Sequence, residues 1–456
     1  MLRHLSYNAL QGVINQALGL AVFVLLANGL PRAEFGAFNW MGALLLTAYG
    51  IASFGTEQLL VQQVAAGRKP AEALPPALLH AAAGIVLLLG AWAIWGRSGA
   101  AGNALAVLLL GKGAYALAAP YKSAAAGLER FRLLLPMSVG ANIAKAAGLL
   151  LAGADGISLF EAVLVFAVSD AIELLAAATL FHRSVPGGLQ WRGLWPRYRA
   201  LLRDAGPLLG TVALAAATAR FDWIFLGARS PALLAEYSFA YKAFELAQLP
   251  LLVIAPLLVP RFTRQLRSGE ALSFETLNRY EALLAAGVAL GLNGCWAPLA
   301  DQASGGRYGA VNTGTIALLS LAMPLLYLNN LCWSLHFAAG RRGLLFRIFA
   351  ITFAINAVTC VLLVPAWGKE GAAAAYTIAI GLQTVLYHRA LPAAQRPSWR
   401  PLLACSGAAG AGVALAALLG GPTGVLSGAL LFVLLLLATR QLRLGEYRLL
   451  AAWRRS

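Results

Sequence analysis

Charged side chains interrupt two consecutive apolar stretches near the middle of the chain. Arg220 and Asp222 lie in the first stretch, and Lys242 and Glu245 lie in the second. Residues three apart share one face of a helix, so Lys242 and Glu245 can pair locally, whereas the first two point in different directions and need partners on other helices. Because charge is costly in hydrocarbon, such groups face a protein interior or a water-filled cavity. The stretches are therefore typical of a transport path, with a purely structural pair as an equal explanation for Lys242 and Glu245.

The first half of the chain carries a second set of charges in apolar stretches. Lys112 and Lys122 lie in one stretch, Lys145 lies in the next, and Asp170 and Glu173 lie in the one after that. Two carboxylates three residues apart, with lysines on the two preceding helices, predict an internal charge network. The carboxylates either hold the bundle together or couple transport. We expect Lys122, near the end of its span, to extend its ammonium group to the membrane surface.

The composition is that of a helical membrane protein. The chain has 456 residues, of which 60% are hydrophobic and 12% are charged. Uncharged runs repeatedly reach the length of about 20 residues that an α-helix needs to cross a bilayer. The net charge of +17 does not indicate nucleic-acid binding, because most positive charges lie in loops. We predict fourteen spans, at 6–28, 35–65, 73–96, 103–127, 131–153, 158–182, 205–227, 232–259, 277–300, 310–338, 344–366, 371–392, 402–420 and 423–442.

The distribution of Lys and Arg predicts the orientation of the chain. Of the 35 Lys and Arg residues, 25 lie in the two termini or in and beside the loops after even-numbered spans. Five lie in loops after odd-numbered spans, and the other five lie inside spans. Because cytoplasmic loops carry an excess of Lys and Arg, we predict a multi-pass protein of the plasma (inner) membrane with both termini in the cytoplasm.

The segment from Arg183 to Arg203 is the longest predicted connection that does not span the membrane. Its mixture of Trp and Arg suits a helix lying in the cytoplasmic interface. Weak similarity between the segments on either side indicates two six-helix halves, which are common in transporters. The predicted divisions are a six-helix bundle at 1–183, an interfacial linker at 184–204, a second six-helix bundle at 205–392, and two additional helices with a basic tail at 393–456.

No residue pattern indicates enzymatic chemistry. We find no phosphate-binding glycine loop, no cluster of metal ligands and no nucleophile beside a base. The four cysteines fall in predicted spans without metal-ligand spacing, so we interpret them as packing residues. We therefore predict that the protein is not an enzyme and that it needs no cofactor apart from a coupling proton or sodium ion.

Five motifs occur in the order of a known transporter family. They are Leu-Pro-x-x-x-Phe-Gly-x-Phe at 30–38, Phe-Gly at 54–55, Asp222 with Phe-Leu-Gly at 225–227, Glu-Tyr-Ser-Phe-Ala-Tyr-Lys at 236–242, and Asn356 followed by Val-Pro-x-x-Gly-x-x-Gly-Ala-Ala at 364–373. With them the chain resembles the polysaccharide-transporter branch of the multidrug/oligosaccharidyl-lipid/polysaccharide exporter superfamily, the flippases of undecaprenyl-pyrophosphate-linked oligosaccharides. The resemblance implies an all-α membrane protein with 14 transmembrane helices, arranged as two six-helix bundles in a V with two extra C-terminal helices. It also implies alternating access around a cationic central cavity.

The buried charges agree with the cargo that the resemblance implies, a lipid-linked oligosaccharide. A pyrophosphate with its sugars needs a hydrated, positively lined path, while the prenyl tail stays in the lipid. We expect substrate binding at Arg220, Lys242, Lys112, Lys145 and Tyr241. We expect a coupling or charge network at Asp222, Glu245, Asp170, Glu173 and Glu57. Membrane lipids and a glycan polymerase are the other expected partners, and nucleic acid is not one.

The coupling ion is left open between sodium and the proton. The resemblance implies a sodium site at Asp222, Asn356 and Thr377. However, Cys360 stands one turn after Asn356, where a second carboxylate is wanted. Proton coupling through Asp170, Glu173, Asp222 or Glu245 is the alternative.

Two other functions compete with the flippase interpretation. A multidrug or small-molecule cation antiporter of the same superfamily needs an acidic and aromatic pocket, whereas the buried Lys and Arg of this chain favour an anionic cargo. A membrane-embedded polysaccharide polymerase or ligase needs catalytic groups in a sizeable external loop. The loops after odd-numbered spans are short and contain no His, Cys or paired carboxylates.

Overall fold

The computed structural model describes residues 2–95, 100–153, 156–185, 187–268 and 274–443. Within these ranges the chain is almost entirely α-helical, with short 3₁₀ turns and no β-strand. Eleven helices of the described part are long and apolar enough to cross a membrane. The all-α membrane class is therefore confirmed, whereas the count of 14 spans and the V arrangement stay predictions.

Packing divides the chain into two compact units, Met1–Ser238 and Phe239–Ser456. The first unit contains α1 (Leu2–Gly29), α2 (Arg32–Ala52), α3 (Thr56–Ala65), α4 (Pro70–Trp95), α5 (Ala100–Gly127), α6 (Phe131–Ala152), α7 (Leu159–Ser184), α8 (Leu194–Arg229) and the start of α9 (Pro231–Ala247). The second contains the rest of α9, α10 (Leu249–Ser268), α11 (Phe274–Ser304), α12 (Thr313–Ala338), α13 (Arg342–Ala390), α14 (Trp399–Leu419) and α15 (Gly421–Ala438). The divisions that we predicted after residues 183, 204 and 392 stay predictions.

The second predicted span, at 35–65, is interrupted in the structure. Between α2 and α3, Phe54 and Gly55 have positive φ angles of 51° and 73°. A left-handed residue ends a right-handed helix, and glycine adopts this conformation without a steric cost. The sequence pattern continued through the break because the residues on both sides are amphipathic. As a result, Glu57 lies in the first turn of a new helix.

The second half of the predicted linker and the seventh predicted span form one helix. α8 runs over Leu194–Arg229. It does not extend further toward the N-terminus because Gly193, with a φ of 65°, has a left-handed conformation. Its 36 residues extend over about 54 Å at about 1.5 Å per residue, whereas the hydrocarbon core of a bilayer is about 30 Å thick. Part of α8 therefore lies outside the hydrocarbon.

α5 and α7 pack closely because both offer small residues at their contact. A Cβ atom on Gly111 would lie 2.5 Å from the Cα atom of Ala167, a distance that no real side chain adopts. Further along both helices, the rings of Tyr121 and Phe181 make an edge contact with centroids 5.7 Å apart. The two contacts follow the same order along the chain, so the helices run parallel in a fixed register.

Residues of the sequence motifs meet where α8 and α9 pack on α2 in the first unit. A Cβ atom on Gly36 would lie 1.7 Å from the carbonyl oxygen of Pro231, and one on Gly227 would lie 2.5 Å from an indole carbon of α2. Close by, the side-chain amide of Asn39 donates a hydrogen bond of 3.0 Å to the hydroxyl of Ser238. These motif glycines are needed because the backbone and a ring occupy the space that a side chain would take.

The second unit is built around α12, which packs against α10, α11 and α13. α13 contains one non-helical residue, Gly368, with φ 57° and ψ −126°, so two helical segments meet there. α14 and α15 pack through Gly412 and Gly428, since a Cβ atom on Gly412 would lie 2.7 Å from the carbonyl oxygen of Gly428. Small residues thus set the closest helix approaches in both units.

Candidate functional site

Three lysines and two carboxylates form a buried charge network in the first unit. Its centre is Asp170 on α7, which has no exposed surface. Lys112 of α5 donates a hydrogen bond of 2.7 Å to one carboxylate oxygen, and Lys145 of α6 forms an ion pair of 2.7 Å with the other. The register set by the close approach of α5 to α7 brings the first pair together. One carboxylate therefore forms ion pairs with lysines from two helices.

Glu173, three residues after Asp170, extends the network along the same face of α7. Lys122 of α5 donates a hydrogen bond of 2.7 Å to its carboxylate and lies 4.3 Å from the ring centre of Tyr115. Our expectation that Lys122 extends to the membrane surface is wrong. A buried carboxylate and an aromatic face offer this ammonium group two partners inside the bundle, which replace the water that it loses.

The network has more lysines than carboxylates. With all five groups ionised, three lysines against two carboxylates leave one positive charge, and the carboxylate of Glu57 on α3 acts electrostatically on Lys122 at one end of the network. Aromatic rings stabilise this excess, because the ammonium groups of Lys112 and Lys145 lie 5.6 Å and 5.3 Å from the ring centre of Phe166. The network can therefore attract an anion, provided that water reaches it.

A cavity of about 160 Å³ lies beside the network, between α2, α3, α4 and α5. Lys112 lines it, so the same residue belongs to the network and to the cavity wall. The larger polar or aromatic residues that also line it are Tyr49, Glu57, His80 and Tyr115, and the hydroxyl residues Ser53 and Thr56 line it too. The remaining wall is apolar or small. The cavity thus combines a cation with groups that can form hydrogen bonds to hydroxyls.

Glu57 approaches the network from α3. It is exposed and lines the cavity, and its carboxylate acts electrostatically on Lys122. Glu57 follows the backbone break at Gly55 by two residues, so the break sets the direction of the helix that carries it. The structure therefore brings together five of the predicted residues: Lys112, Lys145, Asp170, Glu173 and Glu57.

Asp222 lies apart from this network, also in the first unit. Its carboxylate is buried and accepts hydrogen bonds from the Tyr237 hydroxyl at 2.5 Å and from the Trp223 backbone N–H at 2.9 Å. The guanidinium carbon of Arg220, which is half-buried, lies 4.5 Å from the ring centre of Trp223. We expected Asp222 to have a partner on another helix. That partner is the hydroxyl of Tyr237 on α9.

Lys242, Glu245 and Tyr241 belong to the second unit. Lys242 donates a hydrogen bond of 3.1 Å to Glu245 on the same helix face, and both residues are half-buried. Tyr241 is buried in an aromatic cluster, where its ring lies 5.7 Å from that of Phe244 and 5.8 Å from that of Tyr376. Its ring therefore packs in the core of α9 and α13.

The members of the predicted sodium site have separate partners. Thr377 donates to the carbonyl oxygen of Leu318 at 2.9 Å, and the thiol of Cys360 lies 3.8 Å from the side-chain oxygen of Asn356. In the described ranges, no group of three or more His, Cys, Asp and Glu residues is placed to hold a metal ion. The sodium site stays a prediction.

Sequence reasoning missed the aromatic and histidine wall of the cavity. Tyr49 of α2 and His80 of α4 come from two different helices, and no spacing within one helix relates them. It also missed Glu281 of α11, a carboxylate with only 3% of its surface exposed. The available signal for Glu281 was a lone acidic residue inside the ninth predicted span, at 277–300.

Comparisons with known proteins show the family and the fold of the chain. A family described as polysaccharide biosynthesis proteins matches residues 1–265 of the chain. The structure is similar to that of the lipid II flippase MurJ in an inward closed conformation, with a TM-score of 0.76 and 12% identity over 93% of this chain and 97% of that one. No curated protein sequence matches the chain.

Two other transporter structures share the fold at lower similarity. One is an inward-facing transporter of the MATE family, with a TM-score of 0.60 and 12% identity over 81% of this chain and 92% of that one. The other is a MOP superfamily transporter from Pyrococcus furiosus, with a TM-score of 0.58 and 15% identity over 84% and 93% of the two chains. At these identities the likeness concerns the fold alone.

Proposed function

Because this chain belongs to the family of polysaccharide biosynthesis proteins, we propose that it is a flippase for an undecaprenyl-pyrophosphate-linked oligosaccharide. It is a multi-pass membrane protein with a transporter fold. The flippase moves the sugar head group across the plasma membrane by alternating access, and it is not an enzyme. The observation that carries the proposal is the cavity of the first unit, whose wall includes Lys112, a lysine of the buried charge network.

The charge network suits a pyrophosphate for an electrostatic reason. A phosphate that enters the cavity competes with Asp170 for the ammonium group of Lys112. Lys145 stays paired with Asp170 at 2.7 Å, so the carboxylate keeps a counter-ion when Lys112 turns to the phosphate. This exchange avoids an uncompensated buried charge, which is the costly state inside a bundle. Lys145 and Asp170 are thus positioning residues, and Lys112 is the residue that contacts the substrate.

The polar wall of the cavity suits the sugar part of the cargo. Tyr49, His80 and Tyr115 offer hydroxyl, imidazole and ring surfaces. Hydroxyl-rich sugars form hydrogen bonds with such groups and stack on aromatic faces. The cavity is small compared with an oligosaccharide, so only one or two sugar units enter it at a time. The prenyl tail stays in the lipid.

We test the cationic path with Lys112→Ala in proteoliposomes that contain a fluorescent lipid-linked oligosaccharide. A hydrogen bond to a charged group contributes about 1.5–3 kcal/mol, so the translocation rate at limiting substrate should fall roughly ten- to hundredfold. Lys112→Arg keeps the charge and should recover part of the rate. Lys69→Ala removes an exposed lysine and serves as the matched control, with an unchanged rate. Normal translocation by a folded Lys112→Ala protein contradicts the assignment.

Arg220 and Lys242 complete the proposed cationic path in the two units. Both are half-buried, so an alanine variant removes charge without opening a large core cavity. We expect each variant to slow translocation less than Lys112→Ala does, because Lys242 already pairs with Glu245 and Arg220 lies over Trp223. The same assay measures both variants.

The fourteen-span topology that we propose is supported by the described helices. To the eleven candidate spans we add the apolar segment Ile14–Gly29, the division of α13 at Gly368, and the pair α9 and α10, which covers the predicted eighth span. These three additions bring the count to fourteen. We further propose the V of two six-helix bundles with both termini in the cytoplasm, and a glycan polymerase that receives the translocated product.

A multidrug cation antiporter is the alternative, because MATE transporters share the fold. Such a transporter binds organic cations at carboxylates. Asp170 and Glu173 already pair with three lysines in this chain, which argues for an anionic substrate. Transport of tetraphenylphosphonium by the purified protein, without transport of the lipid-linked sugar, favours the antiporter.

A further inference from the structure

Glu281 of α11 is a buried carboxyl group of the second unit. It has no hydrogen-bond partner among the described residues. Only 3% of its surface is exposed, and neither carboxylate oxygen has a hydrogen-bond partner among the described side chains and backbone. An isolated ionised carboxylate in an apolar interior costs far more than one that is paired, so a group in this position takes up a proton instead. Glu281 is therefore best accommodated as the neutral acid in this conformation.

Among the described residues, the groups of α12 that interact electrostatically with the carboxyl group of Glu281 are Tyr327 and Cys332, an uncharged hydroxyl and an uncharged thiol. The third titratable residue of α12 is His336, whose Nε2 lies 3.0 Å from the carbonyl oxygen of Tyr387. On α14, the titratable residues are Arg400 and Cys405, and the second of these interacts electrostatically with Arg279. α15 and the 3₁₀ turn Ala310–Asn312, which also pack against α11, contain no titratable residue.

Arg279, the cation nearest in sequence, belongs to a different surface of α11. Residues two apart point in different directions on a helix, so Arg279 and Glu281 do not share a face. Arg279 lines a polar recess of about 320 Å³ together with Glu275, Arg400 and Arg440. Arg279 lies only two residues before Glu281, about 3 Å along the helix axis, so the recess reaches this level of α11 on a different face of the helix. Glu281 does not line the recess, and both of its carboxylate oxygens are buried.

The contrast with the first unit makes Glu281 unusual within this chain. Asp170 is equally buried but holds two lysines, and Asp222 holds a tyrosine hydroxyl. Those two carboxylates are stabilised in their present environment. Glu281 has no such stabilisation, so its protonation state must change whenever a movement of α11 against α12 admits water. In membrane helices, ionisable residues of this kind mark proton or ion pathways.

We propose that Glu281 is a proton-binding site that couples proton movement to the transport cycle, an inference that rests on the proposed flippase function. In the conformation of this structure the carboxyl group is neutral. When α11 and α12 separate, water enters, the O–H bond breaks, the proton passes to water as hydronium, and the carboxylate remains. Uptake of a proton from water on the opposite side restores the neutral acid and lets the helices close. Each cycle therefore moves a proton and needs no reactant other than water.

The first experiment measures the proton site without transport. Dicyclohexylcarbodiimide reacts with protonated carboxyl groups in apolar surroundings, and peptide mass spectrometry locates the adduct. We expect wild-type protein in detergent to be labelled at Glu281, at a rate that falls as the pH rises from about 5 to about 9, a range that includes the titration of carboxyl groups buried in apolar interiors. Glu275→Gln alters an exposed carboxylate of the same helix and should leave the labelling unchanged. Absence of labelling at Glu281, or a rate independent of pH, overturns the proposal.

The second experiment measures coupling in proteoliposomes with an imposed pH gradient of either sign, and with an imposed sodium gradient as a separate arm. Wild-type translocation should differ between the two directions of the pH gradient, and Glu281→Gln, which mimics the neutral acid, should abolish this difference. Glu275→Gln should keep it. A pH response that persists in Glu281→Gln, or a response to sodium alone, overturns the coupling role.

The two proposals fail in distinguishable ways. If the protein translocates no lipid-linked oligosaccharide but Glu281 is labelled with the expected pH dependence, the proton site stands and the flippase assignment falls. If translocation is normal and insensitive to pH gradients, the flippase stands and the coupling role of Glu281 falls. If Glu281→Gln does not fold, labelling of the wild-type protein decides whether the site binds a proton.

Discussion

Three buried carboxylates in this chain are held in three different ways. Asp170 is paired with two lysines, Asp222 accepts from a tyrosine hydroxyl and a backbone amide, and Glu281 has no partner in the described part of the structure. Each environment sets what the group can do. A doubly paired carboxylate organises cations, a carboxylate bound by neutral donors fixes a helix contact, and an unsupported one exchanges a proton.

The stability of the first unit depends on the carboxylate of Asp170. Asp170→Asn leaves two buried lysines without their shared counter-ion, so we expect the free energy of unfolding to fall by about 3–5 kcal/mol. Unfolding by denaturant in detergent micelles measures the change. Glu57→Gln alters an exposed carboxylate of the same cavity and should change stability by no more than about 0.5 kcal/mol. If the two variants lose equal stability, the carboxylate of Asp170 does not stabilise the buried lysines.

At the scale of helices, the site depends on how closely α5 approaches α7. Gly111 permits the contact with Ala167, and the next residue, Lys112, then reaches Asp170. The approach of α8 and α9 to α2 depends in the same way on Gly36 and on the glycine of the Phe-Leu-Gly motif in α8. Small residues in these positions act on the charges indirectly, because they set the distance across which side chains must pair.

We expect Gly111→Ala to push α5 away from α7 and to lengthen the Lys112 to Asp170 pair. Its Cβ atom would meet the Ala167 backbone at 2.5 Å, so overpacking should lower the stability by about 1–3 kcal/mol and slow translocation. Gly140→Ala is the matched control, because no atom lies within 4 Å of the added Cβ on α6. That control should be neutral or stabilising by up to about 1 kcal/mol. A Gly111→Ala protein as stable as the control argues against a register set by this glycine.

At the scale of the whole molecule, two compact units share one chain and a transporter fold. The charge network and its cavity lie in the first unit, whereas Glu281 and its neighbours on α12 lie in the second. The cavity that we propose for the substrate and the proposed proton site thus lie in different units. Coupling between them requires that both units change conformation in the same cycle.

The topology predicts which side of the membrane each loop faces. In a variant without its four native cysteines, Arg229→Cys lies in the loop after the seventh span, and Lys69→Cys lies in the loop after the second. We expect a membrane-impermeant maleimide to label Arg229→Cys on intact cells and Lys69→Cys only after permeabilisation. Both positions are exposed, so neither substitution disturbs the core. Labelling of both on intact cells contradicts the predicted orientation.

Much of the fold follows from the local sequence. Apolar runs of spanning length identify the membrane class, since any such run must satisfy its backbone hydrogen bonds within a helix. The sequence pattern did not reveal the break at Phe54 and Gly55 or the continuity of α8 across the linker. Both depend on backbone angles at a few residues, and hydropathy does not report these angles.

The sequence by itself determined which side chains are charged within apolar helices, and therefore which residues need partners. Tertiary structure alone decided the partners: Lys112 and Lys145 share Asp170, Lys122 turns inward to Glu173, and Glu281 meets none of the described cations. The physical reason is that pairing depends on distances between helices to within an ångström or two. Those distances are set by packing between residues that are far apart in the chain, which no periodicity within one helix encodes.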